Sequence, residues 1–219
     1  MRAAQDQINR PVAAVVLSIL RRLPHAPLST RQWVSLLALL FPPVVRARTV
    51  STKLAQEFYA SQSPNGRAPH VTPRPYTAPM LGQTLETFAR PKLEDPQTAP
   101  QGATDGTAAL IRHIEQANRE YVVQASSADD VRFARVDPYG ETCAFCRMLI
   151  SRGPVYLSQV SGAFQSHPHC TCVAVPVWDP LDYPGIEQAE AAEKQWVQAT
   201  HGKSGKEAIR AFRREVEGT

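Results

Sequence analysis

All four cysteines of this chain fall between Cys143 and Cys172, and two of its six histidines share that window. The stretch opens with Cys143-Ala-Phe-Cys146 and closes with His167-Pro-His169-Cys170-Thr-Cys172. Two thiols at Cys-x-x-Cys spacing form a tight knuckle that presents both sulfurs to one soft cation, and a second thiol-rich cluster farther along closes a tetrahedron around it. Between the clusters lie Gly153, Pro154 and Gly162 with few large apolar groups, so little core is available there. A structural zinc ion contributes about 10 kcal/mol of folding free energy, more than such a segment buries in apolar area. The competing reading is four reduced cysteines packed as small hydrophobes.

Six side chains compete for four positions: Cys143, Cys146, His167, His169, Cys170 and Cys172. In an extended segment alternate side chains share a face, so Cys170 and Cys172 point one way and His167 and His169 the other. That geometry selects Cys143, Cys146, Cys170 and Cys172. A turn at Pro168 would swing His167 inward in place of one of the last two thiols, so spacing leaves the fourth ligand open.

Nineteen prolines in 219 residues argue against long uninterrupted elements, because each removes a backbone donor and restrains its predecessor. The net charge of +4 is concentrated at one end: residues 1–60 carry eight Lys or Arg against Asp6 and Glu57. Such a surface meets an acidic protein or nucleic acid, or simply aids solubility. The apolar runs Pro11 to Leu20 and Trp33 to Val45 fall short of the roughly 20 residues that span a bilayer. Neither has the flanks of a signal peptide, so no membrane is expected. Residence in a reducing cytoplasm then favours metal binding over disulfides.

Residues 1–62 read as a helical region. Val12, Val15, Val16, Ile19 and Leu20 line one helix, and Ser29 with Gln32 has capping-box spacing before Trp33, Leu36, Leu37 and Leu40. Pro42 and Pro43 are expected to end that second helix and open a third with Val50, Leu54 and Phe58 on its face. Residues 63–106 read as a proline-rich linker with a short helix over Leu81 to Arg90 and a loose stretch from Pro91 to Gly106. From residue 107 to 180 a Cys/His module is expected. Leu110, Ile114, Ala117 and Tyr121 form a helical stripe, Val131 to Val136 alternates as a strand, and Val173, Val175 and Val177 form a second strand that Pro176 confines to an edge. Residues 181–219 read as C-terminal helices over Ile186 to Thr200 and Ser204 to Val216. Ser204 and Glu207 have capping-box spacing at the start of the second, and Ile209, Phe212 and Val216 form its buried face.

A catalytic reading pairs Cys146 with His167 or His169 as its base. Four thiols exceed what a nucleophile needs, and there is neither a His-Glu-x-x-His helix nor a Gly-x-Ser-x-Gly elbow. A nucleic-acid finger lacks cations, since only Arg147 and Arg152 lie between Glu141 and Trp178.

The segment Asp137-Pro-Tyr-Gly-Glu-Thr-Cys-Ala-Phe-Cys146, continuing through Arg-Met-Leu-Ile-Ser-Arg-Gly-Pro-Val-Tyr156 to His167-Pro-His-Cys-Thr-Cys172, resembles the C-terminal signature of MuF-like phage minor head proteins. Versions from tailed phages of actinobacteria, often labelled minor capsid protein or capsid maturation protease, look most similar. The family pattern falls on Cys143, Cys146, His167, Cys170 and Cys172 and leaves His169 at a variable position, which favours His167 as a ligand. The resemblance implies a head protein present in a few copies, made with the phage portal protein and the major capsid or scaffold protein, and acting in head assembly or DNA delivery. It implies a place in the virion, at the capsid interior or portal vertex, with host cytoplasm as the site of assembly. Because the chain ends soon after the motif, no appended toxin or enzyme domain is expected. For the protease label, Ser151, Ser158, Ser161 and Ser166 near His167 or His169 are candidates, none in a recognisable nucleophile motif, and no catalytic set is assigned.

The expectation is therefore an α+β chain, mostly helical, with a small β-hairpin module near the C-terminus stapled by structural Zn2+. Its expected function is structural, in phage head morphogenesis; the alternative is a capsid maturation protease processing capsid or scaffold proteins. A weak contact of the basic N-terminus with packaged DNA is among the expected partners.

Overall fold

The computed structural model describes residues 1–72, 74–140, 142–156 and 170–218. Its elements are α1 (Arg2–Arg21), α2 (Thr30–Gln62), α3 (Ala78–Phe88), α4 (Arg90–Leu93), α5 (Ala99–Ala128), β1 (Arg132–Val136), α6 (Ala144–Ile150), β2 (Val173–Val177), α7 (Ile186–Thr200) and α8 (Gly205–Glu217). Among the described residues the protein is mostly helical, with a two-stranded antiparallel sheet, β1 against β2. The chain divides into two compact units. The described part of the first is 1–58, 72 and 74–121, and of the second 59–71, 122–140, 142–156 and 170–218.

In the first unit an aliphatic cluster is built from Val16 and Leu20 of α1, Trp33, Leu36, Leu40 and Val44 of α2, Leu81 and Leu85 of α3, and Leu110 and Ile114 of α5. The expected stripe of α5 is buried throughout, and the Ser29–Gln32 capping box forms. Ser29 N donates to Gln32 Oε1 at 2.9 Å and Gln32 N to Ser29 Oγ at 3.4 Å.

Pro42 and Pro43 do not end a helix. They lie inside α2, a single 33-residue helix. The reason is phase: Trp33, Leu36, Leu40, Val44, Ala47, Ser51 and Ala55 are buried one after another at helical spacing, so packing on both sides of the prolines holds one axis. The expected face Val50, Leu54 and Phe58 is displaced by that stripe, and Val50 is 52% exposed. Joined in this way, α2 is long and apolar enough to cross a membrane by length and composition, which the two separate runs were not. In the structure its apolar stripe forms a wall of the first unit's core.

The stretch from Pro91 to Gly106 is likewise ordered, as α4 and the first two turns of α5. Its glycines mark close packing rather than a loop. A Cβ on Gly102 would stand 2.8 Å from the Leu93 backbone nitrogen, and one on Gly106 2.9 Å from Ala89 Cβ.

The same unit holds a buried polar network that no apolar periodicity announces. Glu115 Oε1 accepts from Arg2 Nη1 at 2.7 Å and Asn9 Nδ2 at 2.8 Å, and Arg119 Nη2 donates to its Oε2 at 3.0 Å. Gln5 Nε2 donates to Asn9 Oδ1 at 3.0 Å, and Ser51 Oγ to Gln5 Oε1 at 2.8 Å. Burial of these polar groups is offset by mutual satisfaction.

In the second unit the strand register explains Pro176. It lies opposite Phe133, whose N–H donates outward to Tyr156 O at 3.1 Å, so this is a non-hydrogen-bonded pair and the missing proline N–H is not needed by β1. Helices α7 and α8 pack together through Trp196 and Phe212, ring centroids 4.9 Å apart. The buried face of α8 is Ala208, Ala211 and Phe212; Ile209, expected there, is 48% exposed. Ser204 is the N-cap of α8, but its side chain makes no capping hydrogen bond.

Candidate metal centre

Strand β1 leads into the first cysteine pair and β2 leads out of the second, so antiparallel pairing of the strands brings the two half-sites together. Cys143 is the N-cap of α6, and Cys146 lies in its first turn with its side chain turned inward. The α6 start is held from α8, where Glu217 Oε1 accepts from Ala144 N at 3.1 Å.

The sulfurs of Cys146, Cys170 and Cys172 all lie within 4.8 Å of one another, and all three residues are buried. Cys146 Sγ and Cys170 Sγ are 3.6 Å apart. Tetrahedral zinc with Zn–S bonds of about 2.3 Å separates its sulfurs by roughly 3.8 Å, so three soft donors stand at a spacing that suits the ion. Cys143 is half-buried and lies outside this group of three. His167 and His169, together with Ser158, Ser161 and Ser166, fall outside the described residues.

Around the sulfurs are side chains that metal-site spacing did not single out. Thr142 Oγ1 is 3.4 Å from Cys172 Sγ, and Thr171 Oγ1 donates to Asp137 Oδ1 at 3.2 Å. Gln188 of α7 brackets the Asp137 backbone, accepting from its N–H and donating to its carbonyl, both at 2.7 Å. Arg135 on β1 is 4% exposed. Burial lowers its pKa, while the cysteine sulfurs, Cys172 foremost, act to raise it. The sequence did carry a signal for Arg135, a cation in phase with Phe133 on an alternating strand. Gly185 has φ +99°, and a Cβ there would lie 2.5 Å from Val136 Cγ2, which fixes glycine where α7 begins beside the sheet.

Without metal the cluster is a set of thiols. The Cys146 thiol is pushed far up by its contacts with Cys170 and Cys172 and by burial. Cys172, although a hydrogen bond with Cys146 lowers it, is pushed up to about 12 by its contact with Cys170 and by burial. An activated cysteine nucleophile has the opposite shift. A divalent cation held by Cys146, Cys170 and Cys172 would take the place of those protons. Of the proposed serines, the described Ser151 donates its hydroxyl to Met148 O at 2.8 Å.

Comparison with known proteins places these features in context. The family described as VG15 protein matches residues 1–199. The Gene 15 protein of Mycobacterium phage D29 is 31% identical over 223 residues, covering 83% of this chain and 78% of that protein. The Gene 15 protein of Mycobacterium phage L5 is 26% identical over 249 residues, covering 90% and 83%. No solved structure matches.

Proposed function

This chain belongs to the VG15 protein family of phage gene 15 proteins, and from that premise we propose that it is a minor head protein whose cysteine module is a structural zinc staple. The observation that carries the staple is the meeting of three buried cysteine sulfurs from two distant stretches of chain. The MuF-like signature from Asp137 to Cys172 supports the head assignment. Zinc supplies cross-linking of the two half-sites when bound: Cys146, Cys170 and Cys172 hold it, with Cys143 or His167 as fourth ligand. The fixed module then presents the surfaces that dock on the portal protein and on the major capsid or scaffold protein. Assembly takes place in the host cytoplasm and the product resides in the virion. A weak contact of the basic N-terminal region with packaged DNA would fall to cations other than Arg2 and Arg48, which are paired with Glu115 and Glu120.

Three thiols gathered in one buried cluster support a structural site over a lone cysteine nucleophile. Two measurements test the reading together. Purified phage heads should contain this chain at low copy number, and the isolated chain should hold about one equivalent of zinc, lost in Cys146→Ser. Co-expression with the major capsid protein should leave that protein's intact mass unchanged; a defined truncation abolished by one substitution in this chain would establish the protease reading instead.

A further inference from the structure

Beyond its prolines, α2 turns a polar face toward a cavity in the first unit. Val45, Arg48, Thr49, Thr52, Lys53 and Gln56 recur at helical spacing, and with Arg74 and Tyr76 from the stretch between α2 and α3, and Ala117 of α5, they line about 440 Å³. Small-molecule sites run from roughly 300 to 1,000 Å³, so there is room for an organic body as well as a charged group. Arg48, Lys53 and Arg74 make the lining cationic, and among the described residues no carboxylate lines it.

The deepest of these cations is fixed in place. Arg48 is 8% exposed; it donates to the His113 carbonyl, pairs with Glu120 at 3.5 Å and lies over the Tyr76 ring, 4.5 Å from its centroid. Tyr76 is in turn stacked on Phe41, with centroids 6.0 Å apart. A guanidinium has more N–H donors than the His113 carbonyl and Glu120 use. Glu120 offsets the charge of Arg48, and Lys53 and Arg74, both exposed, bring further positive charge where the cavity meets solvent. The threonines give their protons elsewhere: Thr49 Oγ1 donates to Val45 O at 3.1 Å and Thr52 Oγ1 to Arg48 O at 3.0 Å. Donation to a ligand therefore falls to Arg48, Lys53, Gln56 and Arg74, with Val45, Ala117 and the Tyr76 ring as the apolar wall.

Such a lining suits concentrated negative charge on a small body. A phosphate monoester carries about −1.5 to −2 at neutral pH and three strong acceptor oxygens, enough to engage several donors at once, where a carboxylate has a single charge to share. The concave shape favours a small molecule over duplex DNA, whose phosphates lie on the outside of a wide rod. We propose that this cavity binds a small organic phosphate, its phosphate group held by Arg48, Lys53, Gln56 and Arg74 and its organic part resting on Val45, Ala117 and Tyr76.

The test is calorimetric titration of the full chain in phosphate-free buffer with deoxyadenosine monophosphate, ribose 5-phosphate, deoxyadenosine and a short DNA duplex. At least one of the two phosphate esters should bind at one site per chain, and deoxyadenosine should not. Lys53→Glu should weaken the bound ester roughly 10-fold or more, the scale of one lost charge-assisted hydrogen bond. Gln56→Glu, which puts a carboxylate into the lining with almost no change of shape, should weaken it in the same direction. Arg46→Glu makes the same change of net charge as Lys53→Glu at an exposed position of α2 outside the lining, and should bind like wild type. Lys53, Gln56 and Arg46 are all exposed, so the variants are expected to fold, and far-UV circular dichroism checks it. Binding of neither ester, equal weakening by Lys53→Glu and Arg46→Glu, or uptake of the duplex without either ester would overturn the proposal; the last would mark a nucleic-acid surface instead.

Discussion

At the residue scale, Gly102 and Gly106 of α5 show how one missing methyl sets the spacing of neighbouring segments. Alanine is ordinarily better than glycine in a helix by about 1 kcal/mol. Here the new Cβ of Gly102→Ala meets the Leu93 backbone nitrogen and Lys92 Cβ at 2.8 Å, and backbone cannot step aside as a flexible side chain can. Gly102→Ala should therefore destabilise by about 1–3 kcal/mol, read as a lower denaturant midpoint; a gain would show that α4 shifts freely. His113 makes a pH prediction. Burial, with Arg112 and Arg48 nearby, lowers its pKa to about 4. Since the folded value lies below the unfolded value of roughly 6.5, its stabilising contribution is complete above pH 6.5 and is lost as pH falls toward 4. Thermal unfolding followed across that window should show the decline, and His113→Gln should flatten it.

At the element scale, α2 and α8 show that where a helix lies is easier to read than which way it faces. The Pro42-Pro43 pair removes two backbone donors inside α2, each interior proline costing about 3 kcal/mol in an isolated helix. A buried stripe running through both prolines outweighs this, because Leu40 and Val44 pack into the same cluster. Replacing both by alanine should raise the melting temperature by an amount equivalent to on the order of 2 kcal/mol or more; a lower value would mean the prolines fit the helix better than alanine does. In α8, the helical spacing of Ile209, Phe212 and Val216 puts Ile209 inside, yet Ala208, Ala211 and Phe212 are the buried set. Small residues at 208 and 211 flank Phe212, whose ring lies edge-on to Trp196 of α7.

At the scale of the whole molecule, the two units draw stability from different sources. The first has its aliphatic cluster and its buried polar network. The second has a two-stranded sheet, three short to medium helices and a cluster of thiols, so a bound metal would matter more to it. Adding a zinc chelator to the loaded protein should strip amide exchange protection from β1, β2 and α6 while α1 and α3 stay protected. Uniform loss across all five elements would argue against a local staple. The strands and the cysteine pairs next to them were legible because each half carries its own short-range pattern, alternation for the strand and closely spaced thiols, Cys-x-x-Cys in the first and Cys-x-Cys in the second.

The sequence by itself determined that two thiol clusters would be joined, that β1 and β2 would be strands, and that Leu110, Ile114, Ala117 and Tyr121 would face a core. Each follows from local periodicity or from the fixed chemistry of a ligand type. Only the tertiary structure decided that α2 runs through Pro42 and Pro43, that Gly102 and Gly106 are packing positions, and that Asp137 is buried. Those outcomes depend on partners far apart in the chain, whose contact energies exceed the local preferences of the residues concerned.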